Sequence, residues 1–113
     1  MSKRVLLTGG AGYIGSHSCI AFVEAGWEVA LLDNLSNSSP VAIDRLEAIL
    51  GSRPPLHRVD IRDENGVREV LAAFDPDAVV HFAGLKAVGE SVSEPLKYYD
   101  NNVVGTVSLL RAM

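Results

Sequence analysis

The chain has 113 residues, 48% of them hydrophobic and 21% charged, a composition that suits one compact domain with a substantial core. A formal net charge of -4 leaves no basic stripe for a nucleic-acid backbone and no polybasic patch for anionic lipid, so neither nucleic acid nor membrane is an expected partner. The apolar run Val5-Leu6-Leu7 is too short for a signal peptide or a membrane span, and Cys19, the single cysteine, permits no internal disulfide; a cytoplasmic protein is expected.

Arg4 to Thr8 reads as a buried strand and Tyr13 to Ala25 as a helix that stops at Gly26. Between them lies Thr8-Gly9-Gly10-Ala11-Gly12-Tyr13-Ile14-Gly15, and glycines placed where a strand turns into a helix are the context of a phosphate-binding turn. Gly9 and Gly10 allow the tight turn, Gly12 lets backbone approach a pyrophosphate, and Gly15 lets the helix lie close on the sheet. The helix N-terminus adds unpaired N–H groups and about half a unit of positive charge. A dinucleotide is the expected ligand. Cys19 reads as a small core residue, and His17, in the first turns of the helix, is left unassigned.

Trp27 to Asp33 gives a second apolar strand, with Trp27 a packing residue at its mouth. Asp33 falls eighteen residues after Gly15, close to the roughly twenty at which a dinucleotide fold places the acid that holds the adenosine ribose. The other reading of Asp33 is a strand-end aspartate that caps the next turn. A carboxylate here repels the 2′-phosphate of NADP, and no Arg or Lys follows in Asn34-Leu35-Ser36-Asn37-Ser38-Ser39, so the sequence favours NAD.

Ile43, Leu46 and Leu50 mark a short amphipathic helix that stops at Gly51. Leu56 to Val59 is a third strand ending in Asp60-Ile61, a pair that either faces an adenine ring or leaves Asp60 capping a turn. Val67, Val70, Leu71 and Phe74 form the next helical stripe, closed by Asp75-Pro76-Asp77. Ala78 to Phe82 is a fourth strand followed by Ala83-Gly84, with His81 packed inside it and Lys86 placed to bring a cation towards phosphate, ribose or substrate.

Pro95 starts a helix in which Leu96, Tyr99, Val103, Val107 and Leu110 recur at helical spacing. Asn101 or Asn102 interrupts that stripe, to face the crevice or a neighbouring backbone, or to face solvent. The expected fold class is α/β: the N-terminal part of a doubly wound, NAD-binding Rossmann fold with parallel strands in order 3-2-1-4 and the ligand crevice at the switch point. Residues 1–113 are expected to form an incomplete domain, truncated before its remaining strands and poorly stable alone, because the fourth strand would be left as an edge beside the crevice.

The run His81-Phe82-Ala83-Gly84-Leu85-Lys86-Ala87-Val88-Gly89-Glu90-Ser91, with the glycine turn, Asp33-Asn34-Leu35-Ser36-Asn37-Ser38 and Glu94-Pro95-Leu96-Lys97-Tyr98-Tyr99-Asp100-Asn101-Asn102, resembles the N-terminal part of the UDP-glucose 4-epimerase family. These are extended short-chain dehydrogenases/reductases, and the resemblance covers essentially the whole chain. It implies that Gly9, Gly12, Tyr13, Ile14 and Gly15 receive the NAD pyrophosphate, and that Asp33, Asn34, Asn37 and Ser38 hold the adenosine ribose side. Asp60 and Ile61 meet adenine; Phe82, Ala83, Gly84, Lys86 and Asn101 line the later part of the dinucleotide, with Lys86 also near the sugar nucleotide. The family often carries Asn-Val-Asn-Gly-Thr where this chain has Asn102-Val103-Val104-Gly105-Thr106. The activity implied is interconversion of UDP-galactose and UDP-glucose through a 4-keto intermediate, by a homodimer acting on a UDP-hexose substrate. The family's Tyr-x-x-x-Lys pair has no counterpart here: Tyr13 is followed four residues on by His17, Tyr98 by Asn102 and Tyr99 by Val103. These 113 residues, which also lack the family's C-terminal substrate domain, are therefore expected to be inactive alone. The competing readings are a related nucleotide-sugar dehydratase or decarboxylase and a non-catalytic nucleotide-binding module.

Overall fold

A computed structural model describes residues 3–36, 38–85 and 88–113. Strand β1 (Arg4–Thr8) lies between β2 (Glu28–Leu32) and β4 (Ala78–His81), and β2 also pairs with β3 (Leu56–His57). The sheet order is β3-β2-β1-β4 and every pairing is parallel, as the alternation of strands and helices predicts.

Side chains alternate across β1 and β2, and each set has its own cover. Val5, Leu7, Val29 and Leu31 pack with Cys19 of α1 (Tyr13–Glu24) and with Ile43 and Leu46 of α2 (Val41–Leu50). Leu6, Ala30 and Leu32 point the other way, towards Val67 and Val70 of α3 (Glu64–Phe74), Ile61, and Leu109 near the chain's end. Burial on both faces explains why these strands read as continuous apolar runs rather than alternating ones.

The boundaries have local causes. Helix α1 ends where Gly26 takes φ +91°, with Trp27 N–H donating to Phe22 O and Gly26 N–H to Val23 O. Trp27 then packs edge-on against Phe22. Strand β3 is shorter than the expected Leu56 to Val59, because Val59 N–H turns back to His57 O and takes the chain off the ladder.

The C-terminal part departs furthest from expectation. A helix not anticipated from sequence, α4 (Val88–Ser93), precedes α5 (Pro95–Tyr98), and Glu90 joins them by accepting from Lys97 Nζ at 3.1 Å and Tyr98 OH at 3.0 Å. From Pro95 the chain runs as one helix through a π-helical turn, Tyr99–Val104, into α6 (Gly105–Ala112), the junction residues all right-handed helical. It crosses close over Ile61: a Cβ on Gly105 would sit 2.7 Å from the Ile61 side chain. The stripe that recurs at helical spacing faces outward, for Leu96, Tyr99 and Leu110 are 80%, 66% and 64% exposed.

Candidate functional site

A cleft opens at the carboxyl ends of β1, β2 and β4, where a doubly wound sheet places its ligands. Its floor is the glycine turn. Gly9 takes φ +67°, and a Cβ there would lie 2.7 to 2.8 Å from the backbone of Phe82 and Ala83, so only glycine fits between the two loops. Gly15 is buried against the Gly9 carbonyl; its tight packing is on the turn itself rather than on the sheet. Helix α1 starts at Gly12 with no side-chain cap, which leaves its first N–H groups available to an anion. Tyr13 and Ile14, the first residues of α1, are exposed.

Asp33, at the end of β2, is 8% exposed and fastens the turn to the next loop. Its Oδ2 accepts from Ala11 N–H at 3.1 Å; its Oδ1 accepts from Leu35 N–H at 2.8 Å and from Ser38 Oγ at 3.2 Å. The carboxylate thus caps the loop while lining the cleft with Asn34 and Ser38. Leu35 pays for this loop with φ +62°, a strained value for a branched side chain, and packs against the core beside α1 and α2. Asn37 lies outside the described residues.

After β3, Ile61 and Val59 line the cleft, while the carboxylate of Asp60 between them turns to Arg62 and Asn34. The Arg62 guanidinium donates from Nε to Asp60 Oδ1 at 2.9 Å and from Nη2 to Oδ2 at 2.8 Å, and holds that carboxyl well below the usual carboxylate range. Nη1 of the same group reaches Asp100 of the π-helical turn at 2.6 Å.

Past β4, Phe82, Ala83 and Gly84 form the opposite wall. Phe82 N–H donates to both the carbonyl and Oγ1 of Thr8. His81 is a packed, hydrogen-bonded residue, its ring nitrogens 2.6 Å from Thr8 Oγ1 and 3.2 Å from Thr106 Oγ1. Lys86 lies outside the described residues. Asn101 lines the cleft and donates to Ala83 O at 3.3 Å; Asn102 accepts from Leu85 N–H and donates to Leu85 O, both at 2.8 Å. Both asparagines therefore hold the neighbouring backbone rather than face solvent.

Of the residues expected from sequence, the cleft gathers Gly9, Gly12, Asp33, Asn34, Ser38, Ile61, Phe82, Ala83, Gly84 and Asn101 in its lining. Sequence reasoning passed over Arg62, whose Asp60-Ile61-Arg62 setting was the only available signal. No group of three or more metal-ligating side chains occurs among the described residues, and none of their helices is long and apolar enough to cross a membrane.

The family model described as GDP-mannose 4,6 dehydratase matches residues 6–113. A UDP-glucose 4-epimerase from Oryza sativa subsp. japonica is 54% identical over 115 residues, 99% of this chain and 31% of its own length. That of Bacillus subtilis (strain 168) is 52% identical over 109 residues, 96% of this chain and 32% of its own. Among solved structures, the UDP-glucose 4-epimerase from Bifidobacterium longum in complex with NAD+ and UDP superimposes with a TM-score of 0.95 at 49% identity, covering 98% of this chain and 33% of that one. The Stenotrophomonas maltophila enzyme with bound NAD and formylated UDP-arabinopyranose gives 0.96 at 44% identity, over 98% and 33%. The chain spans about a third of the length of the relatives it matches.

Proposed function

The chain belongs to the family described as GDP-mannose 4,6 dehydratase, and from that premise we propose that it supplies the NAD-binding part of an epimerase interconverting UDP-galactose and UDP-glucose. The observation that carries the reading is the uncapped start of α1 opening beside Gly9 into a cleft whose next wall is Asp33. Backbone donors and a helix N-terminus suit a pyrophosphate, and a buried carboxylate at the end of β2 suits a ribose diol without a 2′-phosphate. Names of relatives at about half identity support epimerisation over the dehydration that the family description mentions.

In this reading Gly9, Gly12, Tyr13, Ile14 and Gly15 receive the pyrophosphate, and Asp33, Asn34, Asn37 and Ser38 hold the adenosine ribose. Asp60 and Ile61 take adenine. Phe82, Ala83, Gly84, Lys86 and Asn101 line the nicotinamide half. When bound, NAD supplies the acceptor for hydride from C4 of the hexose and its donor to the opposite face of the 4-keto sugar. What this chain does is bind and orient; the proton-transferring pair is not within it, since no tyrosine here has lysine four residues later. The complete protein is a homodimer acting in the cytoplasm in galactose metabolism, and the outward apolar face of α5 and α6 fits such a contact.

The test is a chimera in which this chain replaces the matching third of the Bacillus subtilis enzyme. The chimera converts UDP-galactose to UDP-glucose, and the 113-residue chain alone does not. Turnover by the chain alone, or a folded chimera that is inert, overturns the proposal.

A further inference from the structure

A carboxylate offers about four acceptor positions, and at Asp60 all of them are taken. Oδ1 accepts from Arg62 N–H and Arg62 Nε, both at 2.9 Å; Oδ2 accepts from Arg62 Nη2 at 2.8 Å and from Asn34 Nδ2 at 3.0 Å. Three of these bonds come from one residue, and two of the three carry the guanidinium charge. The bond from Asn34 is the only one from a neutral side chain, and Asn34 is the partner that lines the cleft.

We infer that Arg62 is the positioning residue of the adenine end: it fixes the Asp60 carboxylate and ties it to the π-helical turn, and the adenine amine binds by displacing the Asn34 amide from Asp60 Oδ2. The inference rests on the NAD reading above. Asp100 is the second anchor. Its 2.6 Å bond to Arg62 Nη1 joins the adenine side to a helical turn whose next two residues, Asn101 and Asn102, grip Ala83 and Leu85 on the opposite wall. One guanidinium thus sets the spacing of both sides of the cleft. Lysine cannot take its place, because a single ammonium lacks the fork that bonds two carboxylates at once. The depressed Asp60 pKa, caused first by the Arg62 side chain, keeps the acceptor ionised even in the acid range where an ordinary aspartate protonates.

The experiment compares calorimetric titrations of NAD and of nicotinamide hypoxanthine dinucleotide, in which a carbonyl replaces the adenine amine, on this chain carried in the Bacillus subtilis chimera. The ratio of the two affinities reads the base edge that carries the amine, where the analogue also bears N1–H in place of a bare N1, apart from every contact on the ribose, pyrophosphate and nicotinamide. For the unaltered chain the ratio is about tenfold or more in favour of NAD, the usual worth of a hydrogen bond to a charged acceptor. Arg62→Gln and Arg62→Lys each bring it to about twofold or less, with circular dichroism unchanged. Asn34→Ala keeps it at the unaltered value or raises it, and Asp100→Asn lowers it part of the way. An Arg62→Lys or Arg62→Gln chain that keeps the full ratio overturns the positioning role, and a collapse in Asn34→Ala overturns the exchange. A chain that binds NAD without preferring it over the analogue overturns the use of Asp60. No binding of either dinucleotide removes the NAD reading itself and this inference with it. Should Arg62→Gln misfold, Arg62→Lys and Asp100→Asn carry the decision.

Discussion

The turn from Gly9 to Gly15 and the helix from Pro95 to Ala112 border one cleft and are held in opposite ways. The turn is locked by backbone: Gly9 N–H donates to Leu32 O, Gly9 sits against the backbone of Phe82 and Ala83, and Gly15 lies under the Gly9 carbonyl. The helix is held on one side by side chains, through Arg62 to Asp100 and through Asn101 and Asn102 to residues 83–85, while its other side leaves Leu96, Tyr99 and Leu110 exposed. The difference separates two tasks. A pyrophosphate needs donors that are fixed before it arrives, whereas the two ends of a dinucleotide need walls whose spacing side chains can set.

The contrast breaks most visibly at Gly9. Gly9→Val forces a β-branched residue into φ +67° against the Phe82 and Ala83 backbone, and destabilises the chain by about 4 kcal/mol or more in urea unfolding. A mild effect there would mean that the turn is not locked. Asn102→Ala comes next: it strips Leu85 of both side-chain bonds and costs about 1 to 3 kcal/mol, with faster hydrogen exchange at the Leu85 amide and unchanged exchange in β1. Equally faster exchange in β1, or none of the loosening at Leu85, would show that the wall is not held this way.

Titration sharpens the comparison, because the two sides fail at opposite ends of the pH scale. Burial beside the turn pushes the Cys19 thiol up to about 11. A raised folded pKa means that its contribution is full below the unfolded value of about 8.5 and is lost as pH rises through the folded one. Cys19→Ser removes that alkaline limb from a plot of unfolding midpoint against pH. Asp60 has the reverse sign: its folded pKa is depressed, so its contribution is present above about pH 3.9 and is lost as pH falls below it. Arg62→Gln flattens that acid limb and leaves the alkaline one intact. The smallest effects belong to the outer face of the helix. In the chain by itself, with no partner on that face, Leu96→Lys and Leu110→Lys change stability by no more than about 0.5 kcal/mol and raise solubility in a precipitation assay.

The same division governs how much was legible before any coordinates. The position of the glycine turn, the parallel strands and their order agree with the apolar runs and the glycines at strand ends, while β3 is shorter than expected and Gly15 packs on the turn rather than on the sheet. What the sequence left open depended on contacts far along the chain. The outward stripe of the last helix shows that spacing reveals which residues share a face and not what the face meets. Helix α4 carries Gly89 and a well-exposed Val92, too short and too polar a pattern to announce itself. The Arg62–Asp100 pair joins residues 38 apart, which no periodicity links. Asp33 is an intermediate case: its position pointed to a ribose, and its three hydrogen bonds show that it also braces the loops on either side.

That double role makes Asp33 the place to test the central claim, that the cleft is a preformed NAD site built on the glycine turn. The direct measurement is calorimetric titration, with NAD and with NADP, of the chimera that carries this chain in the Bacillus subtilis enzyme. The account predicts micromolar NAD binding at one site, with NADP at least about tenfold weaker because its 2′-phosphate meets a buried carboxylate and no neighbouring cation in Asn34 to Ser39. Equal affinity for the two, or no binding of NAD by the folded chimera, would contradict it.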